Sequence, residues 1–118
     1  MARFILLLHE SPAAFEGVSP DEIQRVIEEY TGWRHQLEAQ GRLAGGEKLE
    51  DGTARNLVVE DGRLEVTDGP YAEAKEVLGG YFIVKAEDWP AAIEISKGCP
   101  HLKYGGRIEL RRIDEIHG

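Results

Sequence analysis

The sequence contains a single cysteine, Cys99, among its 118 residues. One thiol excludes a disulfide framework and a cysteine-rich zinc site. The four histidines share no short ligand spacing, and no HExxH pattern is present, so we predict no metal site. Since no glycine pattern forms a phosphate loop either, we expect a protein without a cofactor. Cys99 itself is predicted to be a small buried apolar residue rather than a nucleophile.

Long hydrophobic runs and basic charge are also scarce. The longest apolar run near the start, residues 4–8, is shorter than the core of a signal peptide and far shorter than a membrane-spanning helix. We therefore expect a soluble, cytoplasmic protein that does not bind membranes. Acidic side chains outnumber basic ones, 22 to 14, giving a net charge of −8. Because nucleic-acid binding needs a clustered basic surface, no nucleic-acid partner is expected.

The chain has the length of one domain, 1–118, and its 42% of hydrophobic residues suffice for a core. Residues 3–9 are predicted to form a strand, and its apolar residues, 4–8, are consecutive rather than alternating, which is typical of a strand covered on both faces. A helix is predicted to begin at Ser19, a capping residue followed by Pro20 in the first turn and Glu22 at the capping-box position. Its apolar face is spaced by three and four residues: Ile23, Val26, Ile27, Tyr30, Trp33 and Leu37.

The rest of the chain predicts extended segments and one further helix. Asp61 and Gly62 form a strong two-residue hairpin turn. Asp88 caps a second helix that has Pro90 in its first turn and that ends at Pro100. The extended segments are residues 43–49, 54–60, 63–67, 81–84 and 107–113. The order β-α-β-β-β-β-α-β predicts an α+β protein, a ferredoxin-like split βαβ with an extra central β-hairpin.

The two strands at residues 3–9 and 81–84 predict the state of assembly. Two helices can cover only one face of the sheet, yet both strands are apolar on both faces. The second face therefore needs a partner, and the simplest partner is a second copy of the same sheet. We expect a homodimer with its sheets face to face.

Three glycine pairs lie at or just before predicted strands. They are residues 45–46, 79–80 and 105–106. Glycine in such positions favours a β-bulge or a close approach of backbones where the sheet bends.

One line of the sequence identifies a family. Residues 68–76 read Asp-Gly-Pro-Tyr-Ala-Glu-Ala-Lys-Glu, which resembles the YCII-related family in its DGPF-domain branch. That branch continues with Gly-Gly-Tyr and an apolar strand, as residues 79–82 do here. The resemblance extends over nearly the whole chain, through residues 41–43, 45–47, 99–100 and 105–111.

The resemblance implies a dimeric α/β-barrel with a small cleft near the dimer interface, suspected of acid–base chemistry. Some relatives are linked to chlorinated-aromatic degradation, and some DGPF members are encoded beside extracytoplasmic-function sigma factors. The wider family pattern carries a histidine on the first helix, at the position of Tyr30 here. The helix histidine of this chain, His35, lies five residues further on and off the apolar face.

Residues 68–76 supply the first group of candidate site residues. Asp68 or Glu73 is a candidate general base or hydrogen-bond acceptor, provided that burial or a neighbour raises its pKa. Lys75 is a candidate for steering an anionic substrate, and Tyr71 for lining the cleft. The alternative is a solvated connector, in which Asp68 begins a turn and the charges face water.

A second group lies on the predicted helices and strands. Tyr30 is either a core residue with a partnered hydroxyl or a cleft-lining hydroxyl that orients a substrate. His9 ends the first strand and His101 follows the second helix, so each is a candidate catalytic residue or a structural histidine. Arg111 on the last strand either protects a solvated edge or holds an anionic ligand or the partner subunit. His35 is predicted to be a surface residue.

Two functional hypotheses follow. The first is an enzyme or binding protein that takes a small, aromatic or carbonyl-bearing molecule into a cleft, with proton transfer or elimination and no cofactor. The second is a non-catalytic regulatory or interaction module, as the sigma-factor neighbourhood of relatives implies. A structural dimer whose 68–76 segment is only a scaffold is the third reading.

Overall fold

The computed structural model describes residues 1–69 and 75–115. Four antiparallel strands form one sheet in the order β2-β5-β1-β6, and β3 and β4 form a separate hairpin. This is the ferredoxin-like arrangement with a hairpin inserted between β2 and β5, which confirms the predicted α+β class. The elements are β1 (Ala2–Glu10), α1 (Pro20–Ala39), β2 (Leu43–Lys48), β3 (Arg55–Glu60), β4 (Arg63–Asp68), β5 (Val77–Ala86), α2 (Trp89–Ser96), α3 (Pro100–Lys103) and β6 (Arg107–Arg112).

Side-chain caps begin the two longer helices as predicted. The Ser19 hydroxyl accepts a hydrogen bond from the Glu22 amide at 3.2 Å, and the Asp88 carboxylate accepts one from the Ala91 amide at 2.9 Å. Each cap satisfies an amide that has no partner within the helix. The one-turn helix α3 was not predicted, because Pro100 was expected only to end α2; instead Pro100 occupies its first turn.

The core lies between the helices and one face of the sheet. In this core Leu6 of β1 pairs with Phe82 of β5, and the Trp33 ring packs edge-on against Phe82 with centroids 5.0 Å apart. Cys99 is buried there, as predicted, and burial raises the pKa of its thiol to about 11. The buried strand residues are Phe4, Leu6, Leu8, Phe82, Val84 and Ala86.

The other face of the sheet has an apolar centre. Ile5 pairs with Ile83 and Leu7 pairs with Tyr81, and these four side chains alternate with the buried ones. Arg111 pairs with Ile5 from β6 and points the same way. The helices pack against the opposite face, so we call this surface the open face.

The β3–β4 hairpin also exposes apolar side chains. Its turn has positive φ at both Asp61 and Gly62, the conformation that the Asp-Gly pair predicts. On one face of the hairpin all four apolar side chains are more than half exposed: Leu57, Val59, Leu64 and Val66. In residues 1–69 and 75–115, no helix is long and apolar enough to cross a membrane.

Candidate functional site

A cleft of about 600 Å³ opens between α1 and the sheet, on the side of the sheet that the helices cover. Its floor is formed by β1, β2 and β5, and its lip by Phe15 from the loop before α1. Most of the wall is apolar, through Leu8, Phe15, Ile23, Val26, Ile27 and Phe82. The polar residues of the wall include Glu10, Tyr30, Arg34 and His101.

The cleft divides the apolar face of α1 into two parts. In the second half of the helix, Trp33 and Leu37 are buried against the sheet, as a core-facing stripe requires. In the first half, Ile23 and Ile27 remain 37% and 51% exposed, although they continue the same stripe. In this first half Val26 is buried, whereas Ile23 and Ile27 form part of the wall of the cleft.

A chain of hydrogen bonds joins Tyr30 to β1 through His101. The Tyr30 hydroxyl lies 2.9 Å from Nδ1 of His101, and Nε2 of His101 lies 2.7 Å from the backbone oxygen of His9. A carbonyl oxygen only accepts hydrogen bonds, so Nε2 carries a hydrogen and donates a hydrogen bond to the His9 oxygen. In the neutral ring Nδ1 is then an acceptor, and Tyr30 donates to it.

Gly106 holds the His101 ring in place. A β-carbon on Gly106 would overlap the Nε2, Cε1 and Cδ2 atoms of the ring, so the ring lies directly on the glycine backbone. The Gly106 amide also donates to the His101 carbonyl at 3.0 Å. The third glycine pair was predicted to form a bulge or a close approach of backbones; here Gly106 instead makes room for the side chain of His101.

Tyr30 keeps its proton at neutral pH. Burial raises the pKa of its phenol, because a buried phenolate loses its hydration, and the neighbouring Cys99 and Glu10 raise it further. Tyr30 is therefore a neutral hydroxyl that both donates and accepts hydrogen bonds, and not a base in its own right.

Two further polar residues of the wall, Glu10 and Arg34, lie against glycines of the sheet. The Glu10 carboxylate lies against Gly79, the extra residue of β5 at a bulge, where a β-carbon would overlap it. Arg34 donates from Nη1 to the backbone oxygen of Gly46 at 2.9 Å and so ties α1 to β2 across the cleft. These bulges and close approaches give the floor of the cleft its shape.

A family model of the YCII-related domain matches residues 2–117. The chain belongs to the YCII-related family. The search of curated proteins gave no match. The finer assignment to the DGPF branch stays a prediction, since residues 70–74 of its characteristic line lie outside the described part of the chain.

This YCII-related chain brings together two of the residues predicted from sequence, Tyr30 and His101. They are 71 positions apart, and the Tyr30 hydroxyl lies 2.9 Å from Nδ1 of His101. Sequence reasoning did not propose Glu10 or Arg34 for the cleft. Arg34 follows Tyr30 by four residues, so the helical period was a usable signal for it, whereas the direction of Glu10 depends on the bulge at Gly79.

Other predicted residues lie away from the cleft. The His9 side chain lies on the open face, with Nε2 at 3.1 Å from the Glu109 carboxylate, so His9 contributes only its backbone oxygen to the site. Arg111 is exposed on the same open face. Asp68 ends β4 with its side chain 86% exposed and paired with Arg55 at 3.2 Å.

The remaining candidates belong to the segment after β4. Lys75 is exposed and does not line the cleft. Glu76 next to it pairs with Arg107 at 2.9 Å, which lowers the pKa of the Glu76 carboxyl and ties the start of β5 to β6. Tyr71 and Glu73 lie outside the described residues.

Proposed function

We propose that this protein binds a small, mostly apolar molecule in the cleft and that Tyr30 and His101 exchange a proton with it without a cofactor. The observation that carries the proposal is the hydrogen-bonded Tyr30–His101 pair in the wall of a cleft large enough for such a molecule. Apolar walls with a few oriented polar groups are typical of small-molecule sites.

The proposed chemistry divides the work between the two side chains. Tyr30 faces the cleft and stays protonated, so it serves as the contact to the ligand. His101 is 4% exposed, and in its neutral form the lone pair on Nδ1 accepts the hydrogen bond of the Tyr30 hydroxyl. A ligand proton that passes to Tyr30 while the phenol proton passes to Nδ1 leaves Tyr30 neutral throughout. His101 is then the proton acceptor, acting through Tyr30.

Filling the cleft tests the binding proposal. We expect Ile27→Trp to weaken ligand binding by at least about tenfold, because the indole would occupy space between α1 and the sheet. The measurement is a two-dimensional NMR titration of the whole protein with a set of small phenols and their methyl ethers, following the amide shifts of cleft residues.

The matched control for that experiment is Ile93→Trp. Ile93 is 49% exposed on α2, nearly the same as Ile27, and it does not line the cleft. Binding by Ile93→Trp should equal binding by the wild type. If no compound shifts the cleft amides at millimolar concentration, or if Ile27→Trp binds as well as the control, the binding proposal is wrong.

We also propose that two copies of the chain pair through their open faces. The proposal is supported by the apolar centre of that face, where Ile5, Leu7, Tyr81 and Ile83 lie outside the helix-covered core. Apolar surface of this kind on a central pair of strands is typical of an interface. The exposed apolar face of the β3–β4 hairpin offers a second surface for the same association.

A charge on the open face tests the dimer. The wild type is expected to show twice the mass of one chain in size-exclusion chromatography with light scattering, and Ile83→Glu to show the mass of one chain, because an unpaired buried charge opposes association. The control is Ile93→Glu on the exposed face of α2, which should leave the mass unchanged. A wild type that stays monomeric at micromolar concentration would refute the proposal.

A second candidate function is a non-catalytic interaction module. The exposed positions of Asp68 and Lys75 favour it, since charged side chains on the surface are available to a protein partner. The two candidates differ in what the cleft does: an interaction module has no need of the Tyr30–His101 pair, so Tyr30→Phe would leave its partner binding unchanged.

A further inference from the structure

Building on the proposed function, we infer that the cleft selects a ligand with a hydroxyl group, such as a phenol or an enol, and that this hydroxyl donates its hydrogen bond to the Tyr30 oxygen. The ligand class follows from the direction of the hydrogen bonds that leave Tyr30 towards β1. A hydroxyl donor is favoured over an ether or a ketone that can only accept.

The backbone of β1 sets the direction of these hydrogen bonds, because the series Tyr30–His101–His9 ends at a backbone oxygen. Nε2 of His101 lies 2.7 Å from the His9 oxygen, and this oxygen has no proton to give. The imidazole must therefore place its proton on Nε2. The ring lies against the backbone of Gly106, in space that a β-carbon there would occupy.

His101, between His9 and Tyr30, then fixes which of Tyr30 and His101 donates. With Nε2 protonated, Nδ1 of neutral His101 has only a lone pair, and the Tyr30 hydroxyl at 2.9 Å supplies the proton for that bond. A phenol has one proton, so the hydroxyl hydrogen of Tyr30 is engaged. What Tyr30 presents to the cleft is the remaining lone pair of its oxygen, an acceptor.

An acceptor ligand would have to reverse this arrangement. For Tyr30 to donate to a ketone or an ether, its hydroxyl must give up the hydrogen bond that it donates to Nδ1 of His101. Because His101 is only 4% exposed, water cannot easily replace the lost bond, and a buried acceptor without a donor is costly. We expect the resulting preference for a hydroxyl ligand to be about tenfold or more.

The charges around the cleft do not supply this preference by themselves. Arg34 and Lys48 are cationic, and Glu10, Glu47 and Asp51 are anionic, so the wall carries both signs. Arg34 already donates from Nη1 to the Gly46 oxygen. Carboxylates also accept hydrogen bonds, so Tyr30→Phe is needed to separate the contribution of Tyr30 to the selection from that of these side chains.

Matched neutral ligands test the inference on the whole protein. We would titrate it with para-cresol, with its methyl ether and with para-methylacetophenone, and follow the amide shifts of cleft residues by NMR. Para-cresol is expected to bind about tenfold or more tightly than either of the others. The ether is the more apolar ligand, so a purely hydrophobic cleft would give the opposite order.

Tyr30→Phe removes the acceptor and keeps the ring. In this variant the three compounds should bind within about threefold of one another, because the hydroxyl has lost its partner. His101→Asn is the complementary variant: its amide oxygen can accept from Tyr30 near the Nδ1 position, so the preference for para-cresol should survive. A structural role for Tyr30 alone would change all three affinities together.

The outcomes separate this inference from the proposed function. If the ether or the ketone binds the wild-type cleft as tightly as para-cresol, the inference is overturned while small-molecule binding stands. The same holds if Tyr30→Phe keeps the preference. If no compound shifts the cleft amides, both the hydroxyl preference and the proposed binding of a small molecule are wrong. Should Tyr30→Phe fail to fold, the order of the three ligands on the wild type decides the question.

Discussion

Replacing Gly106 by alanine is expected to lower the free energy of unfolding by about 2 to 4 kcal/mol. The new β-carbon would overlap the His101 ring, which has to move. Movement of the ring breaks its hydrogen bonds to the His9 oxygen and to the Tyr30 hydroxyl, both of which are partly buried. Chemical denaturation followed by circular dichroism measures the change, and para-cresol binding should weaken with it.

Gly32→Ala is the control for that experiment and should change stability in the opposite direction. Gly32 lies within α1, and nothing lies within 4 Å of where its β-carbon would be. Alanine there should raise the free energy of unfolding by about 1 kcal/mol, because glycine is a poor helix residue and leaves the unfolded chain more entropy. Equal and small effects of the two substitutions would show that His101 is not held by Gly106.

Phe4→Ala is expected to lower the free energy of unfolding by about 3 to 5 kcal/mol. Phe4 is fully buried in β1, and its ring packs edge-on against Trp89 with centroids 5.0 Å apart. Removing the ring leaves a cavity between the sheet and the start of α2. Urea denaturation, with tryptophan fluorescence as a second probe, measures the loss.

Phe15→Ala is the matched substitution at the lip of the cleft. Phe15 is 37% exposed in the loop before α1, so its loss should cost less than about 1 kcal/mol of stability. It should nevertheless weaken para-cresol binding, while Phe4→Ala should leave binding by the folded protein nearly unchanged. A large loss of stability in Phe15→Ala would show that the Phe15 ring belongs to the core, and would contradict its assignment to the lip of the cleft.

Local chemistry explains why the fold was predictable from the sequence. Ser19 and Asp88 are capping residues followed by prolines, and the structure begins both longer helices there. Asp61 and Gly62 specify a tight turn, and the hairpin forms at that turn. Such signals act over a few residues, so one sequence is enough to read them.

The candidate site depends on contacts that no local signal reports. Tyr30 and His101 meet across 71 positions, and the helix that carries His101 is a single turn after Pro100. Each was singled out from its own neighbourhood, but nothing in the spacing indicated that they touch. The cleft also required half of the α1 stripe to remain uncovered, and the periodicity of Ile23 and Ile27 is the same for a core helix and for a cleft wall.

His9 contacts both the cleft and the open face. Its carbonyl oxygen accepts a hydrogen bond from Nε2 of His101 on the cleft side, and its side chain contacts Glu109 on the open face. Both contacts depend on the position of one residue next to the bulge between β1 and β5. A shift of β1 at this point would therefore change the 2.7 Å hydrogen bond on the cleft side and the Glu109 contact on the open face together.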